Sequence, residues 1–94
     1  MDFQVTDNAD EQRFEIRVDG VRAGSAYYRL HPGDADAPER IVFTHTEVEP
    51  DFEGKGVGSK LANGALTLSK ERGLQIVAQC PFITAYLRKH PELA

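Results

Sequence analysis

The sequence predicts an α+β fold around one mixed sheet, with elements in the order β-β-β-β-α-β-α: antiparallel strands first, then a parallel β-α-β crossover. Three observations predict it. Residues 13–18 alternate, with Phe14, Ile16 and Val18 on one face and Glu15, Arg17 and the following Asp19 on the other, as in a strand with one buried and one wet face. Residues 41–49 (I-V-F-T-H-T-E-V-E) are dense in β-branched and aromatic side chains. A helical pattern from about Gly56 to Arg72 then separates that run from a second one, residues 74–79. Two strands of one sheet joined by a helical crossover must run parallel.

The elements follow in order. Phe3 to Thr6 is a short apolar alternation suited to an edge strand, and Asp7-Asn8-Ala9-Asp10 reads as a turn. Asp19-Gly20 is a two-residue hairpin signal, so residues 21–30, with the paired aromatics Tyr27 and Tyr28, form the returning strand. The Pro, Gly and Asp content of residues 31–38 marks a loop. Residues 41–49 then take a central place in the sheet, and Pro50-Asp51-Phe52 breaks them. In the helix, Val57, Leu61, Ala65 and Leu68 fall on one stripe that faces the core, and Gly73 stops the helix. Cys80-Pro81 opens a last short helix, because proline suits the first helical position. Phe82, Ile83, Tyr86 and Leu87 form its apolar face, Arg88, Lys89 and His90 favour its C-terminal dipole, and Pro91 ends it.

Ninety-four residues allow one domain, 1–94, with one small core. No apolar run approaches the roughly 20 residues needed to span a bilayer. The N-terminus lacks the basic and apolar regions of a signal peptide. One cysteine forms no internal disulfide, and no Cys/His cluster has metal spacing, so the expectation is a cytoplasmic protein with no metal and no membrane partner. The net charge of −4 argues against nucleic acid. Residues 1–53 carry 5 Lys/Arg and 13 Asp/Glu, a net −8, and residues 54–94 carry 6 and 2, a net +4. The basic half suits an anionic ligand and the acidic half a cationic one such as an amine; uneven solvated faces are the plainer reading.

The basic half opens on Glu53-Gly54-Lys55-Gly56-Val57-Gly58-Ser59-Lys60. A strand, a glycine-rich turn and a helix in that order make an anion site. The first-turn N–H groups lack intrahelical partners, and the positive end of the dipole points outward. The spacing fits neither a P-loop nor a dinucleotide fingerprint, since Ser59-Lys60 is in the wrong order and the glycines fall at every second residue. Glycines that serve only the turn are the alternative.

The run Glu53–Gly58 resembles the acyl-CoA pyrophosphate loop of the GNAT superfamily of N-acetyltransferases, Gln/Arg-x-x-Gly-x-Gly/Ala. The resemblance widens with His45-Thr46, Val48 and Pro50, with Glu53 to Leu61, and with Cys80-Pro81-Phe82-Ile83 through Tyr86-Leu87 to Lys89-His90-Pro91-Glu92. It covers about half the chain, Phe43 to Leu93, and looks like a small single-domain member. Two features depart from the larger members. Only Asp7–Asp10 stands where those enzymes place two helices over the acceptor site, which leaves that site open. Glu53 stands where Gln or Arg is preferred; its carboxylate is unfavourable beside a pyrophosphate unless it turns to solvent, although its N–H can still donate.

The resemblance implies acetyl-CoA as co-substrate, with no metal. Its pyrophosphate would lie on the amides from Gly54 through Lys55, Gly56, Val57 and Gly58 to Ser59, with Lys60 near, and its pantetheine arm would pair with backbone at Glu47 and Val48. The acetyl group would lie where the strands 41–49 and 74–79 part, and an unidentified amine or protein acceptor would attack it directly. His45 and Glu47, two apart on one strand face, are candidate bases. Tyr86 falls where the superfamily has a tyrosine proposed to protonate the CoA thiolate. Cys80 ends a strand and starts a helix, where the dipole favours a thiolate, and would face the thioester or accept the acetyl transiently. Each of the four has a plainer reading: surface residues for His45 and Glu47, sheet packing for Tyr86, an inert buried helix cap for Cys80. The alternative for the whole chain is a CoA-binding or protein-interaction module with the fold but little catalysis.

Overall fold

The structure is a computed structural model that describes residues 2–94. Strands β1 (Phe3–Asn8), β2 (Arg13–Val18), β3 (Val21–His31) and β4 (Arg40–Val48) form an antiparallel meander. Helix α1 (Val57–Glu71) crosses over to β5 (Gln75–Ala78), which joins β4 in parallel, so the sheet order is β1-β2-β3-β4-β5. Helix α2 (Pro81–Lys89) follows. The mixed sheet and both helices agree with the order read from the sequence.

Helix α1 lies across one face of the sheet and makes the core. Phe14, Ile16 and Val18 of β2, Ala26 and Tyr28 of β3, and Ile41 and Phe43 of β4 meet Val57, Leu61, Ala65 and Leu66 of α1. Gly64 brings α1 close to β1, because a Cβ there would stand 2.7 Å from the Val5 side chain. The buried stripe is wider than the expected one. Ala62, Leu66 and Ser69 are buried, and Leu68 is only half-buried, since a helix that crosses a twisted sheet is covered over more than one row. Tyr28 crosses the core to donate its hydroxyl to Asp7 at 2.6 Å, and Arg72 holds the other Asp7 oxygen at 2.8 Å. Burial and the bond to Asp7 push the Tyr28 phenol above its ordinary range.

Three local readings are corrected. The turn expected at Asp7–Asp10 begins later: β1 continues to Asn8, because Asp7 and Asn8 pair with Phe14 and Arg13. A 3₁₀ turn at Ala9–Glu11 and a left-handed Gln12 (φ 54°) make the connection. The wet face of β2 is not wet at its centre: Glu15 is 4% exposed. Arg13 Nε reaches Glu15 at 2.7 Å, Asn8 Nδ2 at 3.1 Å and Arg17 Nη2 at 3.3 Å. Burial works to raise the Glu15 carboxyl, but the bonds from Arg13 and Asn8 and the charges of Arg13 and Arg17 outweigh it and hold it below its ordinary value. Finally, Phe82 of α2 is 41% exposed, while Ile83 is the residue of that helix that enters the core.

Between β3 and β4 the register slips by one: Tyr27 faces His45 but Tyr28 faces Phe43, which leaves Thr44 as an extra residue in β4. This bulge turns Phe43 into the core and His45 and Glu47 onto the opposite, helix-free face. Beyond the bulge β4 also loses its other neighbour. The parallel pairing with β5 ends at Phe43 and Ala78, and the Phe43 carbonyl accepts both Gln79 N–H (2.9 Å) and Cys80 N–H (3.0 Å) as the chain turns away.

Candidate functional site

The site follows from that separation. Residues Thr46, Glu47 and Val48 of β4 stay paired to β3, but their other edge has no strand beside it. Backbone N–H and C=O groups on such an edge are free for an extended ligand.

At one end of the free edge lies the glycine turn. Gly54 and Gly56 have φ of +77° and +76°, conformations that favour glycine, and a Cβ on either would meet nothing within 4 Å. Gly58 is tight for a different reason: its Cβ would stand 2.9 Å from Phe82 Cζ, so the Phe82 ring would have to give way. The first backbone bond of α1 runs from Lys60 N–H to the Gly56 carbonyl at 3.2 Å, so the amides of Val57, Gly58 and Ser59 precede the intrahelical ladder. A concavity of about 230 Å³ is lined by Val48, Glu53, Gly54, Gly56, Gly58 and Phe82, among others. Its walls thus join the end of β4, the turn and α2. An anion fits this donor set; the Glu53 carboxylate on its wall opposes one. Lys55 leans over the Phe52 ring, 5.9 Å from its centroid. Lys60 turns away, with its ammonium 4.8 Å over the Phe3 ring of β1.

The residues expected to carry chemistry fall in three places. His45 and Glu47 lie together on the helix-free face, His45 Nε2 being 3.8 Å from Glu47 Oε2. Tyr27 donates its hydroxyl to Glu47 Oε1 at 3.0 Å and stacks its ring on His45, with centroids 5.9 Å apart. Arg13 Nη1 in turn reaches the Tyr27 hydroxyl at 3.3 Å. A continuous chain therefore runs from buried Glu15 through Arg13 and Tyr27 to Glu47. Cys80 lies under β4 on the helix side, 3% exposed, and its Sγ donates to Thr46 Oγ1 at 3.4 Å. Cys80 is the residue preceding α2, yet its side chain makes no capping bond, so the thiol is left to Thr46. Tyr86 occupies a third place. Its hydroxyl accepts from Asn63 Nδ2 of α1 at 3.3 Å, and its ring stacks on His90 at 4.3 Å. It borders the groove between the helices together with Ser59.

Sequence reasoning passed over Thr46, Tyr27 and Arg13. Thr46 stands inside the His45-Thr46-Glu47 run, where alternation alone puts it on the other face from its neighbours. Tyr27 could be found only by pairing it to His45 across the bulge. Among the described residues no cluster of three or more His, Cys, Asp or Glu side chains is placed to hold a metal ion, and no helix is long and apolar enough to cross a membrane.

Known proteins are similar to this chain in sequence or in fold. Protein NATD1 of Gallus gallus is 28% identical over 90 residues, spanning 95% of this chain and 77% of that one. Protein NATD1 of Homo sapiens is 27% identical over 90 residues, spanning 95% and 75%. Among solved structures, a ribosomal-protein-alanine N-acetyltransferase from Brucella melitensis biovar Abortus 2308 superposes with a TM-score of 0.62 at 24% identity, over 73% of this chain and 49% of that one. A predicted acetyltransferase from Clostridium acetobutylicum, solved with acetyl-CoA, gives a TM-score of 0.55 at 13% identity, over 87% and 58%. The chain thus spans about half the length of these two solved proteins, and at such identities they show the fold. The family described as GCN5-related N-acetyl-transferase matches residues 13–94, which include β2 to β5 and both helices. The chain belongs to the GCN5-related N-acetyltransferase family.

Proposed function

We propose that residues 1–94 act as one domain that transfers an acetyl group from acetyl-CoA to an amine by direct attack. The observation that carries this reading is the free edge of β4 between the glycine turn and the Cys80 end of α2. The pyrophosphate is held by the amides of Gly54 to Ser59, the pantetheine arm lies along Glu47 and Val48, and the thioester reaches the gap between β4 and β5. The two faces of β4 then divide the work. The thioester comes from the helix side, where Cys80 and Thr46 meet it. The amine comes from the helix-free side, where His45 and Glu47 stand.

In the transfer the amine nitrogen bonds to the thioester carbon and the C–S bond breaks. One N–H proton passes to the His45–Glu47 pair, and one proton is returned to the departing CoA sulfur, for which the Tyr86 phenol or the Cys80 thiol is the donor. A carboxylate held by the Tyr27 hydroxyl is oriented before the substrate arrives, which removes a reorganisation cost from the reacting state. A reducing compartment such as the cytoplasm keeps Cys80 a thiol.

Titration with acetyl-CoA followed by amide NMR tests the reading. Shifts concentrated at Gly54–Ser59, Glu47–Val48 and Cys80 are expected; no shift at millimolar ligand overturns it. Binding without transfer to any amine, or to hydroxylamine as a small nucleophile, would leave a CoA-binding module.

A further inference from the structure

The helix-free face is a lattice of charges, and several of them are paired. Arg13 and Arg17 hold Glu15, and Arg22 holds Glu49 at 3.2 Å and Glu47 at 3.9 Å. Arg29 and Arg40 are exceptions, with no ion-pair or side-chain hydrogen-bond partner among the described residues. Arg29 shares this face with Tyr27, two residues before it on β3, and with Arg40, two residues before its β4 partner Val42. Arg29 also lines a cleft of about 420 Å³, together with Glu11, Gln12, Tyr27, His45 and Glu47. The 3₁₀ turn at Ala9–Glu11 and left-handed Gln12 form one wall of this cleft, and the bulged stretch of β4 forms the other.

We propose that this cleft is the acceptor site and that it takes a primary amine carrying a carboxylate, that is, an amino-acid-like acceptor. The inference rests on the acetyltransferase reading and names the substrate class of that site. The free guanidinium of Arg29 presents paired donors that match a carboxylate bidentately. At the other end, the nucleophilic nitrogen meets Glu47 and His45, with Glu47 fixed by Tyr27 and through it by Arg13. Glu11 adds negative charge on the wall of the turn, which attracts an ammonium group before it loses its proton. A diamine or polyamine would leave Arg29 facing a cation. A carboxylate removes that mismatch, because Arg29 is the one arginine that lines this cleft and it has no partner among the described residues.

The test uses the whole chain, acetyl-CoA and matched acceptors that differ by one carboxylate: L-lysine against cadaverine, L-phenylalanine against phenethylamine, and β-alanine against ethylamine. CoA thiol release is followed, and acetylated products are identified by mass. The expected result is a preference of about tenfold or more in kcat/KM for the carboxylate-bearing member of at least one pair, from a charged hydrogen-bonded contact. In Arg29→Gln that ratio collapses towards one, through a higher KM for the carboxylate-bearing acceptor, while the KM for acetyl-CoA stays as in the parent. A misfolded variant is recognised by loss of the acetyl-CoA amide shifts; Arg29→Lys, which keeps the charge but not the fork, is then read in its place and should retain part of the preference. Equal use of both members in every pair, or a preference that survives Arg29→Gln, overturns the assignment. If hydroxylamine is acetylated and none of the six amines is, the acceptor class is wrong and the transferase reading stands. If acetyl-CoA does not bind, it is the transferase reading that falls.

Discussion

Cys80 and Thr46, 34 residues apart in the chain, meet where β4 and β5 part, with the Cys80 Sγ–H donating to Thr46 Oγ1 at 3.4 Å. The contact lies on the helix side of that gap and gives the one thiol of the chain a fixed direction. Thr46→Val keeps the branched outline and removes the oxygen that accepts from Cys80. It should lower the rate of acetyl transfer by about tenfold, the effect of one lost polar contact near the reacting atoms. Binding of acetyl-CoA, measured by calorimetry, should change by less than about threefold. Cys80→Ala gives the companion measurement: full turnover and binding in that variant would remove Cys80 from the chemistry.

Gly56 and Gly58 should fail for different reasons. Gly56→Ala places a side chain at φ +76° with nothing nearby, a conformational cost of about 1–2 kcal/mol. Gly58→Ala puts a methyl group 2.9 Å from Phe82 Cζ and should displace the ring, lowering stability as well as weakening acetyl-CoA binding. A second substitution, Phe82→Ala, should restore stability to Gly58→Ala and do nothing for Gly56→Ala. Urea unfolding of the four variants decides it; equal rescue of both would show that the Phe82 contact is not the cause.

Among the described residues Glu53 is the one charged side chain that lines the concavity at the glycine turn. If the proposed pyrophosphate lies there, the Glu53 carboxylate opposes it. Glu53→Gln should tighten acetyl-CoA binding about threefold to tenfold at low salt, the scale of one unit charge near a solvated site. The gain should shrink as salt is raised. No change in affinity at any salt concentration would mean that the carboxylate turns into solvent.

Glu15 makes stability depend on acid. Its folded-state pKa lies below the ordinary carboxyl value, so its contribution is fully present above that value and is lost as pH falls through the folded pKa. Glu15→Gln should cost about 1–3 kcal/mol near neutral pH, because Arg13 and Arg17 lose a charged partner. The difference between parent and variant should shrink on the acid side, below about pH 4. Urea midpoints measured from pH 3 to pH 7 check both statements. A gap that stays constant over this range would show that packing alone is responsible.

Much of the fold was written locally. Alternation at Phe14, Ile16 and Val18, the Asp19-Gly20 turn and the apolar stripe from Val57 are short-range signals, because side-chain direction repeats every two residues in a strand and every 3.6 in a helix. The same rule placed His45 and Glu47 side by side, and the structure sets them 3.8 Å apart. The glycine turn was also legible, since a positive φ at Gly54 and Gly56 is a property of single residues.

What alternation could not supply is the effect of one extra residue. Phe43 and His45 are two apart and should share a face, yet the bulge at Thr44 sends one into the core and the other to the helix-free surface. That shift depends on pairing with Tyr27 and Tyr28, which lie on another strand. Glu15 reads as an exposed charge from its own neighbours, and it is buried because Asn8, Arg13 and Arg17 close over it from two strands. The sequence by itself determined the order and kind of the elements, the glycine turn before α1 and the facing pair on β4. Tertiary structure decided which groups meet: Cys80 with Thr46, Tyr27 with Glu47, and Arg29 with no partner among the described residues. The reason is physical. Periodicity fixes the direction of a side chain about its own backbone, whereas contacts across 20 or 34 residues exist only after register, bulge and crossover bring separate strands together.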